Sequence, residues 1–295
     1  MPRVTAKFTF ETPFDINVVD GRIGDTLTLE MPDGTGKVTV RPLVQKEFSS
    51  RWERPSETVW ESNTVEIDVE MDATAFPPPD EQRFEDAACK YLLRFLRCCR
   101  HRSEQFQIDP RWEPDSYNVV FINHDTGETQ AGGLSGTMRM QSNPPSLDES
   151  HWDKIGDDLR GDPNFDIWEE LLLDARLYRS QNNYRMAVLN AAVVIEAIMT
   201  RYMKHKLMNR EIASKSQIEK FVNEVSNRDL AVVGLGLVSK IAESVREDCR
   251  KTLDLRNSIL HVPKKNVTGG EASLALKAVE ALLSESDIKQ WLEEC

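Results

Sequence analysis

Residues 253–263 read Leu-Asp-Leu-Arg-Asn-Ser-Ile-Leu-His-Val-Pro, which sets Arg256, Asn257 and His261 within one short segment. These residue types suit phosphoester chemistry. When RNA is cut by its own 2′-hydroxyl, a base must take that proton, an acid must protonate the leaving 5′-oxygen, and positive charge must steady the phosphorane. Histidine is the side chain whose ordinary pKa allows acid and base work near neutrality. Arginine keeps its charge and offers a bidentate fork to phosphate. Asn257 can orient the phosphate or the imidazole. No metal is required. A plainer reading stands beside this one. Arg and His near a helix C-terminus complement its macrodipole, and Arg256 can pair with Asp254 or Glu196.

Helical geometry constrains the pair. Five residues of ideal helix turn through ~500°, which leaves Arg256 and His261 about 140° apart around the axis. Val262 precedes Pro263 and is biased away from helical angles, so His261 is expected at the helix end.

The elements that must position these residues are helices. Leu171, Leu172, Ala175 and Tyr178 share a helical stripe, and residues 184–207 form a long Ala-rich helix. Further helices are expected over 216–226, 230–248, 250–261 and 270–294. Short connections between amphipathic helices imply an antiparallel bundle over 165–295. Residues 1–145 read differently. Val4, Ala6, Phe8 and Phe10 alternate, as do Leu27–Met31, Val38–Val40 and Val65–Val69, and Asp33-Gly34 marks a hairpin. A helix is expected over 80–104, with Asp80 as N-cap and Arg94, Arg97, Arg100 and Arg102 on a solvated face. Strands return at 116–123 and near 137–141, joined through His124–Gly127. The fold class is thus an α+β domain with mostly antiparallel strands followed by an all-α bundle. Residues 146–164, with Asp157-Asp-Leu-Arg-Gly-Asp-Pro163, read as a linker.

The chain has 295 residues and a net charge of −12. Residues 1–150 carry 16 Lys+Arg against 26 Asp+Glu, and the rest 21 against 23, so the acidic excess sits in the first half. Bulk charge gives no support to non-specific nucleic-acid binding. Five cysteines without zinc-finger spacing point to a reducing compartment. The N-terminus lacks a signal peptide's apolar core, and the apolar stretch Ala191–Ile198 is short for a membrane span. A cytoplasmic protein with no membrane partner is expected. Asp125-Thr-Gly127 and Gly34-Thr-Gly-Lys37 suit tight turns better than catalysis or phosphate binding.

Arg-x4-His alone is common; at ~5% Arg and ~2% His, a chain this long holds about 0.3 such pairs by chance. Context adds weight. Arg256-Asn257-x-x-x-His261 lies late in a helical domain. The upstream segment 176–196 joins a Leu- and Ala-bearing helix to an Ala-rich helix carrying Glu196. Over roughly residues 165–293 the chain resembles the HEPN domain family. The resemblance implies metal-independent RNA cleavage without a cofactor, leaving a 2′,3′-cyclic phosphate and a 5′-hydroxyl. Arg256, His261 and Asn257 would be catalytic and Glu196 supporting. Tyr178, Tyr184 and Arg185 are candidate RNA contacts. It also implies a homodimer through the C-terminal domain, with the motif helices facing each other, and a role in prokaryotic defence or toxin-type stress response. An antitoxin or a separately encoded nucleotidyltransferase is a possible partner. The rival expectation is a non-catalytic module for dimerisation or for binding a nucleotide or partner.

Overall fold

The computed structural model describes residues 1–19, 26–31, 34–43, 46–49, 58–109, 112, 114, 117–134, 149–161, 165–210, 213–226, 229, 233–262 and 266–294. The chain divides into two compact units, Met1–Asn164 and Phe165–Cys295.

The first unit is built on an antiparallel sheet. Its strands are β1 (Arg3–Val19), β2 (Leu27–Glu30), β3 (Gly36–Leu43), β4 (Lys46–Ser49), β5 (Thr58–Asp72), β6 (Tyr117–Asn123) and β7 (Thr129–Leu134). The order is β2-β3-β5-β1-β6-β7, and β4 pairs with the first part of β5. Val4, Ala6, Phe8 and Phe10 stand opposite Met71, Val69, Ile67 and Val65, and all eight are buried. Strict alternation puts them on one face, which helix α1 (Glu81–Arg102) covers. The rings of Phe84 and Phe121 meet edge-on there, 5.8 Å between centroids. The strand after the His124–Gly127 turn is β7 at 129–134; residues 137–141, expected to be a strand, lie outside the described residues.

The stretch expected to be a linker carries a helix, α2 (Glu149–Arg160). Trp152, Ile155 and Leu159 are buried, and Trp152 meets Phe95 edge-on at 6.0 Å. Their three- and four-residue spacing is a helical stripe that the surrounding aspartates obscure. This helix also corrects part of the expectation of a solvated arginine face on α1, of which Arg97 is exposed as expected. Arg102 Nε and Nη2 donate to Asp158 at 2.6 and 2.7 Å, and Arg94 donates to the Asp158 carbonyl at 3.0 Å. Arg100 is fully buried. Asp80 occupies the N-cap position of α1 without a side-chain cap hydrogen bond.

The other sheet face carries ion pairs: Lys7–Asp68 at 3.7 Å, Arg41–Glu66 at 3.1 Å and Arg3–Glu70. Burial pushes the Asp68 carboxyl above its ordinary range, against the pull of Lys7, and its buried Oδ1 has no hydrogen-bond partner. A carboxyl with a raised folded-state pKa favours folding most when protonated, and that contribution is lost as pH rises through the folded value. Asp68→Asn is therefore expected to hold or raise stability at pH 7, by no more than about 1 kcal/mol, with the gain shrinking towards pH 4. Urea unfolding at both pH values checks this. A clear loss at pH 7 would mean that the Lys7 pair outweighs the burial of charge.

The second unit is helical: α3 (Ile167–Ser180), α4 (Tyr184–Met208), α5 (Lys215–Glu224), α6 (Leu235–Val238), α7 (Glu243–His261), α8 (Gly269–Ser284) and α9 (Ser286–Glu294). Helix α4 is its centre. Ala187, Ala191, Ala192, Ile195, Ile198 and Met199 are fully buried, and the alanines let α3, α7 and α8 pack close. By length and composition α4 is apolar enough to cross a membrane, since charges are sparse well beyond Ala191–Ile198. Its buried stripe fits the core helix of a bundle equally well.

Two helix boundaries differ from expectation. The helices expected at 230–248 and 250–261 are instead α6 and one long α7, separated at 239–242. That break is held from a distance. Asp287 accepts from the Lys240 amide at 3.3 Å and from the Tyr202 hydroxyl at 3.2 Å, and Glu285 accepts from the Ala242 amide at 3.4 Å. The helix expected over 270–294 is divided at Glu285, which is extended (φ −62°, ψ 132°).

Candidate functional site

The last two turns of α7 gather the candidate residues Arg256, Asn257 and His261. Leu253 and Ile259 anchor the helix in the core, which leaves Asn257 and His261 exposed and Arg256 partly so. Arg256 Nη1 lies 3.4 Å from Glu196 Oε1 on α4, and the two side chains are 30% and 16% exposed. The same nitrogen donates to Asn257 Oδ1 at 3.1 Å. Asp254 is engaged by Arg250, whose Nη1 donates to it at 2.5 Å, so of the two anticipated partners Glu196 is the one that meets Arg256. The guanidinium is thus fixed on one side by a half-buried carboxylate and tied on the other to the amide beside it.

His261 is the last residue of α7. Val262 leaves helical angles (φ −119°, ψ 87°), although its amide still donates to Ser258 O at 2.9 Å. The sequence accounts for the stop: residue 263 is proline, and a residue before proline is disfavoured from helical angles. The imidazole is therefore displayed, exposed, at a helix end.

The proposed RNA contacts divide. Tyr178 is half-buried against the bundle core. Tyr184 donates its hydroxyl to Asn182 Oδ1 at 2.6 Å, and its ring lies against the first residue of α8, where a Cβ on Gly269 would come within 3.1 Å of it. Arg185 Nη2 donates to the Ile259 carbonyl at 3.2 Å, in the last turn of α7. Arg185 therefore joins the site, though through backbone. Leu260 and Val262, both 51% exposed, flank His261, and nothing in their spacing marks them.

The cysteines among the described residues are poor nucleophiles. Burial pushes the Cys98 and Cys249 thiols up to about 12, and Cys89, half-buried near Glu85 and Asp86, up to about 11. Among the described residues no three His, Cys, Asp or Glu side chains are grouped to hold a metal.

No family model, curated protein or solved structure matches the chain.

Proposed function

We propose that the helical unit is a metal-independent endoribonuclease of HEPN-like type, acting as a homodimer. The observation that carries the reading is the pairing of an exposed helix-end imidazole, His261, with a guanidinium that Glu196 and Asn257 hold in place. In the reaction, one His261 takes the proton of the 2′-hydroxyl and the freed oxygen attacks the adjacent phosphorus. The P–O5′ bond breaks, and the 5′-oxygen receives a proton from the same histidine of a second copy. Arg256 neutralises the charge that builds on the non-bridging oxygens. Because Arg256 and His261 diverge around α7, a second copy facing the first supplies the missing side of the cleft. A role in prokaryotic defence or stress, in the cytoplasm, and an antitoxin or nucleotidyltransferase as partner extend the same proposal.

A second reading has one observation in its favour. The Arg256–Glu196 pair links α7 to α4, as a structural ion pair in a non-catalytic interaction module would. The test is incubation of the full chain with tRNA and with total RNA in EDTA, with end-group analysis. Cleavage that leaves 2′,3′-cyclic phosphate, and that drops at least about 100-fold in Arg256→Ala, supports the ribonuclease. Arg256→Lys should lose most of that activity, because an ammonium lacks the fork. Unchanged cleavage in Arg256→Ala, or none in the wild type, favours the interaction module.

A further inference from the structure

The geometry points to Arg185 as a positioning residue that fixes the helix end bearing His261, in place of the RNA contact its sequence position implies. The end of α7 lacks one helical donor. In a continuing α-helix the carbonyl of residue 259 accepts from the N–H of residue 263. Residue 263 is proline and has no N–H. The Ile259 carbonyl therefore has no helical partner to come, and it lies two residues before His261. Ile259 itself is fully buried, so bulk water reaches this backbone less freely than at an open helix end. Arg185 supplies the donor, with Nη2 at 3.2 Å.

The choice of side chain fits. The C-terminal end of a helix carries partial negative charge, so a guanidinium satisfies both the orphan carbonyl and the dipole. A charged donor makes a stronger bond than a neutral one. Arg185 also sits where it is firmly held. It is in the first turn of α4, two residues after the Asn183 cap, whose Oδ1 accepts from the Met186 amide at 3.4 Å. Eleven residues along α4 is about three turns, so Arg185 and Glu196 share one side of that helix within ~20°. Both reach α7. Glu196 holds the Arg256 side chain and Arg185 holds the backbone of the turn before His261. Two anchors from one rigid helix thus set both halves of the candidate site.

The catalytic consequence rests on the ribonuclease reading; the structural one does not, and the experiment keeps them apart. Arg185→Gln and Arg185→Lys are compared with wild type by hydrogen exchange over a peptide covering 254–262, and by kcat and KM on an RNA that the wild type cuts. In Arg185→Gln the last turn of α7 should exchange about tenfold faster with the rest of α4 and α7 unchanged. The kcat should fall about tenfold or more with KM nearly constant, since a small misplacement of a catalytic group is felt in the chemical step. Arg185→Lys should recover part of both. Unchanged exchange overturns the inference. So does a rise in KM at constant kcat, which would return Arg185 to RNA binding. If the wild type cuts no RNA, the ribonuclease reading falls while the exchange result still decides whether Arg185 holds the helix end.

Discussion

His261→Ala is expected to lower RNA cleavage in EDTA by ~10²–10⁴-fold, the usual weight of a positioned acid or base. Thermal stability should stay near that of the wild type. The side chain is exposed at the last position of α7, so removing it opens no cavity and strands no buried polar group. The helix end does not depend on it, because the Val262 amide serves the Ser258 carbonyl and Arg185 serves that of Ile259. His261→Gln, which keeps hydrogen bonding but cannot exchange protons near neutrality, should be as inactive as alanine. Single-turnover cleavage with enzyme in excess is the measurement that checks this, with circular dichroism as the folding control. A glutamine variant that cuts like the wild type would leave His261 a helix-end residue with no part in proton transfer, and the proposed chemistry would fail at its centre.

Local pattern in the sequence carried much of the fold. The alternation of Val4, Ala6, Phe8 and Phe10 places β1 in a sheet with one buried face, and the Ala-rich run from Tyr184 places α4 in a core. Features set by distant contacts were not legible. The break before α7 is held in part locally, by the Ser239 hydroxyl, which donates to Leu235 O at 2.6 Å and accepts from the Ile241 amide at 3.4 Å, and in part by Glu285 and Asp287, more than forty residues along the chain, which no property of 239–242 announces. Helix α2 was hidden because its buried Trp152, Ile155 and Leu159 are diluted by aspartates, one of which, Asp158, then draws in Arg94 and Arg102. The candidate site shows the same divide. Spacing picks out Arg256, Asn257 and His261, and Glu196 is guessable as a carboxylate on an apolar helix. The Arg185 contact needs the tertiary structure, although Pro263 signals in advance that Ile259 lacks a donor.

Leu260→Glu is expected to abolish dimerisation at micromolar concentration, and RNA cleavage with it, while leaving the monomer folded. Leu260 is 51% exposed and lies one helical turn beyond Arg256, about 40° around α7 from it. Val262 is as exposed on the other side of His261. A single exposed leucine needs no explanation. Apolar side chains on both flanks of the candidate histidine are what a helix facing its own copy would bury. In a two-fold interface residue 260 appears twice, so glutamate sets two like charges in a dry patch. An anchor lost at such a centre costs ~2 kcal/mol or more, roughly a thirtyfold weaker dimer per side. The monomer bears no such cost, because the side chain already faces solvent. Light scattering across a concentration series separates assembly from chemistry, which His261→Ala does not. A Leu260→Glu monomer that still cuts RNA at the wild-type rate would show that one chain holds a complete site, and the 140° divergence of Arg256 and His261 would have to be closed by movement at the end of α7. A dimer that forms and cuts despite the substitution would place the contact on another face of the bundle. Loss of both together is the result that ties the divergence of the two residues to the need for a second copy.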